Sequence, residues 1–459
     1  MERALSDWKA CACVGLLLVA AAAGCATHAD RVRVGRELYF GGQAEQAVLE
    51  FEKLLPKAGK DRDVVELDLA MAQLFTGRPA VAEQTLREVR DRFDHLEQND
   101  LAEATLSYLL DDNQRSYAGE DYEKVLIRVM LALANLMGDG VDAEAYCLQA
   151  GAKQQQLIEA GAGLAEENPK NAYRRVAAGA YLHGVLREAT HGNYDDAERA
   201  FATVVSWQPG FSAGGFDLQR VRQGRHSAPG NGVLYLFALV GRGPYKRQVS
   251  EIPTSQAMFV ADRIISAVGK HSLPPTLAPI KVPQVVTSEN RLDRVLVQID
   301  GRPVGATETI TDVGQLAVQQ YQAVYPYVLG RAVARRAVKK AAVYAVKEQV
   351  DDLNVWASLA MDAAGVVWEA TESADTRCWS LLPDTIQVLR VELPAGQHHV
   401  ALRPGWGGHS AGRRGPRDGR HRRRSQLLCL GLLPRPPICR TNPGVCPLKP
   451  AKTGRLAGR

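Results

Sequence analysis

The sequence predicts an α+β protein: an N-terminal α-helical repeat solenoid, then a smaller mixed β-sheet and helix domain, then a disordered basic tail. Three observations carry this. Residues 30–210 are dominated by Ala, Leu, Glu, Gln and Arg with few β-branched runs, a helical composition. Strand-like segments bounded by turn residues begin only after Pro209. Hydrophobic periodicity stops after Pro404. The expected divisions are a leader over 1–24, a helical domain over 25–210, an α+β domain over 211–404 and a tail over 405–459.

The 459 residues suffice for two or three domains of roughly 100–200 residues each. A hydrophobic content of 46% and a charged content of 23% exclude wholesale disorder and fibrous classes. No run of roughly 18 or more apolar residues occurs, which excludes a multi-span membrane protein. The net charge of +5 hides an asymmetry. Of 56 Lys/Arg and 51 Asp/Glu, residues 405–459 hold 13 basic residues against Asp418 alone, leaving 43 basic and 50 acidic residues in a mildly acidic body.

At the N-terminus, Arg3 and Lys9 precede Ala10–Ala23, an apolar run of 14 residues. That length suits a signal-peptide core and is too short to span a bilayer. It ends in "AAGC", which resembles the lipobox of bacterial lipoproteins, with Ala22 where Leu is usual. The resemblance implies cleavage before Cys25 and attachment of fatty acyl chains, palmitate among them, at Cys25. Each buried methylene contributes about 0.8 kcal/mol, so several chains hold where one does not. Ala26 in place of Asp implies sorting to the outer membrane, on its periplasmic side. The alternatives are plain secretion and an ordinary buried cysteine. In the body only Cys147 and Cys378 remain, too few for a disulfide framework and without metal-ligand spacing, so both read as small core residues.

One spacing recurs four times in the helical half: Gly, Ala five residues on, then apolar residues after four and three more. The instances are Gly42/Ala47/Phe51/Leu54, Gly77/Ala82/Leu86/Val89, Gly138/Ala143/Cys147/Ala150 and Gly192/Ala197/Phe201/Val204, the last with Tyr194 and Pro209 at further expected positions. Glycine would close the turn between two helices, alanine would let the second helix approach the first, and the large residue would fill the space between units. This pattern resembles the tetratricopeptide repeat, a helix-turn-helix unit of roughly 34 residues. The resemblance implies a stack that binds peptides or partner proteins. The first two glycines lie 35 residues apart and the next gaps are 61 and 54, so the array is interrupted, with a loop carrying a short helix around residues 99–124.

Beyond Pro209, "GGFDLQRVRQGRHSAPGNG" reads as a Gly-rich linker. "VLYLFALVGRGPYKRQVSEI" reads as two strands about a tight turn, and "SLPPTLAPIKVPQVV" as an edge strand or irregular structure. "RVLVQIDGRPVGATETI" reads as a hairpin turning at Asp300-Gly301. Residues 312–372 read helical. Arg331, Arg335, Arg336, Lys339, Lys340 and Lys347 share half of the wheel there, as a solvated face or, in the alternative, a surface for anionic lipid or glycan. "DTIQVLRVELPAGQHHVALRP" reads as two strands joined by a Pro-Ala-Gly turn, with the adjacent His398 and His399 pointing to opposite faces and forming no metal site.

"YEKVLIRVMLALANLMGD" (Tyr122–Asp139) and "ADTRCWSLLPDTIQVLRVELPAG" (Ala374–Gly396) resemble stretches of an uncharacterised family of bacterial envelope lipoproteins with tetratricopeptide-like helices. The resemblance covers most of Cys25 to about Arg403 and carries over no catalytic residue. The tail, with 10 Gly and 7 Pro in 55 residues and Cys429, Cys439 and Cys446, reads as GC-rich sequence in a shifted frame. Its last body strand, "HHVALRP", then lacks sheet partners. A polyanion-binding arm is the alternative.

No Gly-x-Ser-x-Gly elbow, Walker loop, His-Glu-x-x-His or Cys-x-x-Cys pair occurs, and "VGRGPYK" lacks phosphate-loop spacing. The expectation is a non-catalytic scaffold without cofactor or metal. Its partners would be envelope proteins at the repeats and the membrane at Cys25, with no nucleic acid. An envelope-polymer-modifying enzyme with an unrecognised site is the alternative.

Overall fold

The computed structural model describes residues 27–102, 115–163, 167–268, 279–348, 373–406 and 427–432. Among the described residues the first half holds nine α-helices: α1 (His28–Phe40), α2 (Ala44–Leu54), α3 (Arg62–Phe75), α4 (Pro79–Ala102), α5 (Asp121–Met137), α6 (Ala143–Glu159), α7 (Ala177–Glu188), α8 (Tyr194–Trp207) and α9 (Ser212–Arg222). Each packs on its predecessor, and α1/α2, α3/α4, α5/α6 and α7/α8 are antiparallel hairpins. Helix α1 starts in a capping box: the Asp30 amide donates to Thr27 Oγ1 (3.3 Å) and the Thr27 amide to Asp30 Oδ2 (3.1 Å).

Helices α3 and α5 are buried all round, continuously over Asp63–Leu74 and Tyr122–Asn135. Their apolar residues pack on neighbours on every side, and the polar ones buried with them, Asp63, Glu66, Asp68, Glu123 and Arg128 among them, are hydrogen-bonded or ion-paired. The outer helices α2 and α8 bury one stripe each, Ala44/Ala47/Val48/Phe51 and Ala197/Ala200/Phe201/Val204.

The second half holds β1 (Asn231–Val240), β2 (Tyr245–Glu251), α10 (Ser255–Val268), β3 (Ile280–Val286), β4 (Leu292–Ile299), β5 (Arg302–Ala306), β6 (Glu308–Asp312), α11 (Val313–Glu348), β7 (Thr385–Pro394), β8 (Val400–Trp406) and β9 (Leu427–Leu432). The sheets are antiparallel, in orders β6-β7-β1-β9, β2-β3 and β5-β4-β8. Strand β1 is covered on both faces. Val233, Tyr235, Phe237 and Leu239 join the core with the helices, whereas Leu234, Leu236, Ala238 and Val240 meet Leu292, Val295, Val297 and Ile299 of β4. The order is thus helices, one sheet, a second sheet, and the unbroken apolar run of β1 follows from its middle place.

Several expectations hold. The β4–β5 hairpin turns at Asp300 (φ +51°) and Gly301 (φ +79°), the pair of left-handed residues a two-residue hairpin needs. Strand β3 carries Pro283 and, among the described residues, pairs only with β2.

Others are corrected. The supposed linker after Pro209 is helix α9 for its first half. Gly214 is there because a Cβ would stand 3.0 Å from the Phe211 ring, so it serves packing rather than flexibility. β7 and β8 are strands but not a hairpin: β7 pairs with β1 and β6, and β8 with β4. Residues 400–406 therefore have the sheet partner that the reading denied them. His398 and His399 precede β8 and both engage Asp300, His398 through Nδ1 (2.7 Å) and His399 through its amide (2.8 Å). Within 405–459 the expectation of a structureless tail fails where the chain is described: 405–406 end β8, and β9 pairs with β1. The rest of that segment lies outside the described residues, as do residues 349–372 of the expected long helix.

Candidate functional site

The repeat residues fall on the hairpins. Ala47, Ala82, Ala143 and Ala197 are all fully buried, each near the start of the second helix of its pair, and Phe51, Leu86, Cys147 and Phe201 follow one turn later, also buried. Gly42 (φ +82°) and Gly77 (φ +75°) turn the first two hairpins in the left-handed conformation expected of them. Gly138 and Gly192 do not, which is a correction. In the third hairpin the left-handed residue is Gly140 (φ +73°), and in the fourth it is His191 (φ +56°), because these connections place the reversal two residues later and one residue earlier. Tyr194 opens α8 half-buried, and Pro209 is exposed just beyond its end. Cys25 lies outside the described residues.

Sequence reasoning missed the complementary half of this packing. A Cβ on Gly35 would stand 2.7 Å from the Phe51 ring, and one on Gly184 2.9 Å from Phe201. A first-helix glycine thus makes room for the second-helix ring in two hairpins. Its trace in the sequence is a glycine seven or eight positions before the turn glycine, Gly35 before Gly42 and Gly184 before Gly192.

The face presented by α3 and α5 toward the second half is occupied by the chain itself. Residues 375–384 run across it as an irregular segment that turns at Ser380-Leu381. Trp379 is fully buried, its amide donating to Glu123 Oε1 (2.8 Å) and its indole Nε1–H to the Leu67 carbonyl (3.0 Å). Asp68 accepts from Ser380 Oγ (2.6 Å) and the Leu381 amide (2.9 Å). Arg377 donates to Asp375 (2.7 Å), to the Arg115 carbonyl (2.8 Å) and to Asp61 (3.4 Å), with its guanidinium 5.4 Å from the Tyr117 ring centre. The Gly243 amide, from the turn after β1, donates to the Leu382 carbonyl (2.8 Å).

Burial dominates the electrostatics here. It pushes Glu123 up to about 7, with the nearby Glu120 carboxylate adding to it, and pushes Asp68 up to about 6 against the opposing bond from Ser380. Burial also works against charge at Asp61, where His28, Arg31 and Arg377 outweigh it and hold the carboxyl below its usual value. The Cys378 thiol is pushed up to about 12 by burial, and burial raises Cys147 as well, so both cysteines are held as thiols. Raised carboxyls of this kind suit acid–base chemistry in a cleft. Here both Asp68 oxygens and Glu123 Oε1 accept from donors of 379–381, and Glu123 Oε2 accepts from the Tyr117 hydroxyl and the Glu120 amide, so the two carboxyls act as a clamp on the segment.

A second polar cluster ties the end of the array to the sheet. Arg220 bridges Glu188 (2.7 Å) and Asp217 (2.5 Å), Tyr181 donates to Asp217 (2.9 Å) and Tyr235 to Glu188 (3.0 Å). No group of three or more metal-ligating side chains occurs among the described residues.

An open concavity lies elsewhere among the described residues. A cavity of about 220 Å³ sits between α6, α7 and α8, lined by Leu148, Gly151, Ala180, His183, Thr203 and Trp207 among others. Leu148 is 54% exposed at its edge, and the Arg175 guanidinium stands 5.4 Å from the Trp207 ring centre. Its floor is apolar, and its rim carries Asp196 and Arg199. Such a hollow can take an apolar side chain and orient it with a few charges.

Of the basic residues on α11, Arg331 and Arg335 are half-buried, and the side chains of Lys339, Lys340 and Lys347 lie outside the described residues. Arg336 is buried and donates to the Pro279 carbonyl (3.1 Å). Among the described residues no helix is long and apolar enough to cross a membrane. No protein-family model, curated protein or solved structure matches the chain.

Proposed function

We propose that this protein is a non-catalytic lipoprotein that docks envelope proteins on a tetratricopeptide-like helical array. Its proposed anchor is acylated Cys25, and its proposed address is the periplasmic side of the outer membrane. One observation carries the reading: a single packing device, buried alanine followed by a buried larger residue, repeats in four successive hairpins directly behind a lipobox-like cysteine. Repeats of this kind build surfaces for other proteins.

The inner surface of α3 and α5 is filled by residues 375–384, so in this reading partners meet the outer helices, where the hollow between α6, α7 and α8 is open. Labelling with radioactive palmitate, with and without Cys25→Ala, tests the anchor. The expected result is label in the membrane fraction that is lost in the variant. An unlabelled chain that stays with the cytosolic fraction contradicts the proposal.

A further inference from the structure

Only Ala26 and the cap residue Thr27 stand between Cys25 and the first residue of α1. The three peptide steps from Cys25 to His28 reach at most about 11 Å. Helix α1 is no loose arm: Val32, Tyr39 and Phe40 are buried in the main core, and Gly35 is closed over by the Phe51 ring. A body held at Cys25 by so short a leash stands with the N-terminal end of α1 at the level of the lipid headgroups.

The surface around that end is basic. Arg31 is exposed on the first turns of α1, and Lys57 and Lys60 are exposed on the connection between α2 and α3. Asp61 draws these elements together: it pairs with Arg31 of α1, it follows Lys60 in the chain, and Arg377 reaches it from behind. Two acidic groups there are engaged, while Glu52 near the end of α2 is exposed. Asp61 is 2% exposed beneath two arginines, and Asp30 closes the capping box. The Lys57 and Lys60 ammonium groups have no ion-pair partner among the described residues. Helix α11, the other basic element, has Arg336 buried against the chain.

We propose that Lys57 and Lys60, beside the Arg31–Asp61 pair, form a membrane-docking face that binds anionic phospholipid headgroups and sets the orientation of the body on the bilayer. This rests on the anchoring of Cys25 proposed above. A basic side chain close to an anionic surface strengthens attachment roughly fivefold, an effect confined to about a Debye length. One lipid anchor plus such a face restrains tilt, which acyl chains alone leave free.

The test uses the full chain purified from membranes, with palmitate at Cys25 read first. The chain is placed on vesicles of phosphatidylcholine, or of phosphatidylcholine mixed with phosphatidylglycerol, and amide exchange over residues 55–62 is followed. Exchange is expected to be slower on the anionic vesicles, and the difference to vanish near 0.5 M salt, where the Debye length is roughly 4 Å. Lys57→Gln and Lys60→Gln change exposed side chains only. Each is expected to reduce the anionic-over-neutral protection roughly fivefold with palmitate unchanged. Equal exchange on both vesicle types in a chain that carries palmitate overturns the docking face. A chain that carries no palmitate overturns the anchor beneath it.

Discussion

The inner and outer faces of the helical array are made by the same hairpins and covered in different ways. The inner face of α3 and α5 carries buried carboxyls, Asp68 and Glu123, each bonded to residues 379–381 more than 250 positions along the chain. The outer face keeps its charges at the surface, as in Arg187–Asp196 (2.9 Å) and Arg222–Glu198 (2.8 Å), and leaves a hollow between α6, α7 and α8. A buried ionisable group must be fully bonded, whereas an exposed pair contributes little. The inner face is therefore a folded interface, and a face of packed helices is open to partners only when the rest of the chain leaves it so.

Substitutions that break this comparison should separate the two faces sharply. Trp379→Ala removes the largest fully buried side chain and the bond to the Leu67 carbonyl, and is expected to cost about 3–5 kcal/mol, read as a lowered urea midpoint. The pH dependence is next. Glu123 and Asp68 hold protons in the folded state up to about pH 7 and 6, against ordinary values of 4.5 and 3.8. Between those limits the folded chain binds more protons than the unfolded one. Their contribution to stability is thus complete below about pH 4 and lost as the pH rises to about 7. Glu123→Gln is expected to flatten that slope in unfolding titrations.

Gly35→Ala drives a methyl into the Phe51 ring and is expected to cost about 1–3 kcal/mol, with Phe51→Leu in the same chain recovering part of the loss. On the outer face, Leu148→Glu alters a side chain that is 54% exposed and is expected to move stability by no more than about 0.5 kcal/mol while abolishing capture of a hollow-dependent partner.

Legibility in the sequence follows the range of the forces. The helical hairpins could be read from Gly42, Ala47 and Phe51 and their later counterparts because turn, close approach and filling all act within about ten residues. The β4–β5 hairpin was legible for the same reason, in the Asp300-Gly301 turn. Helix α9 was hidden because Gly214 and Gly215 look like linker glycines until Phe211 is seen packed against the first of them. The strand pairs were hidden because β7 and β8 are neighbours in sequence and not in any sheet. The filled inner face left only a composition clue, a tryptophan among polar residues in "TRCWSLLPD", with nothing local to say that Leu67, Asp68 and Glu123 would receive it.

Amide hydrogen exchange at Trp379 and Leu381 probes that filling most directly, since these two N–H groups are given to the buried carboxylates of α5 and α3. Exchange only through global unfolding, at the rate of the α3 and α5 core amides, is the expected result. Exchange within seconds in the native chain, or protection that arises only when another protein is added, would mean that the inner face is open and that the division between the two faces is wrong.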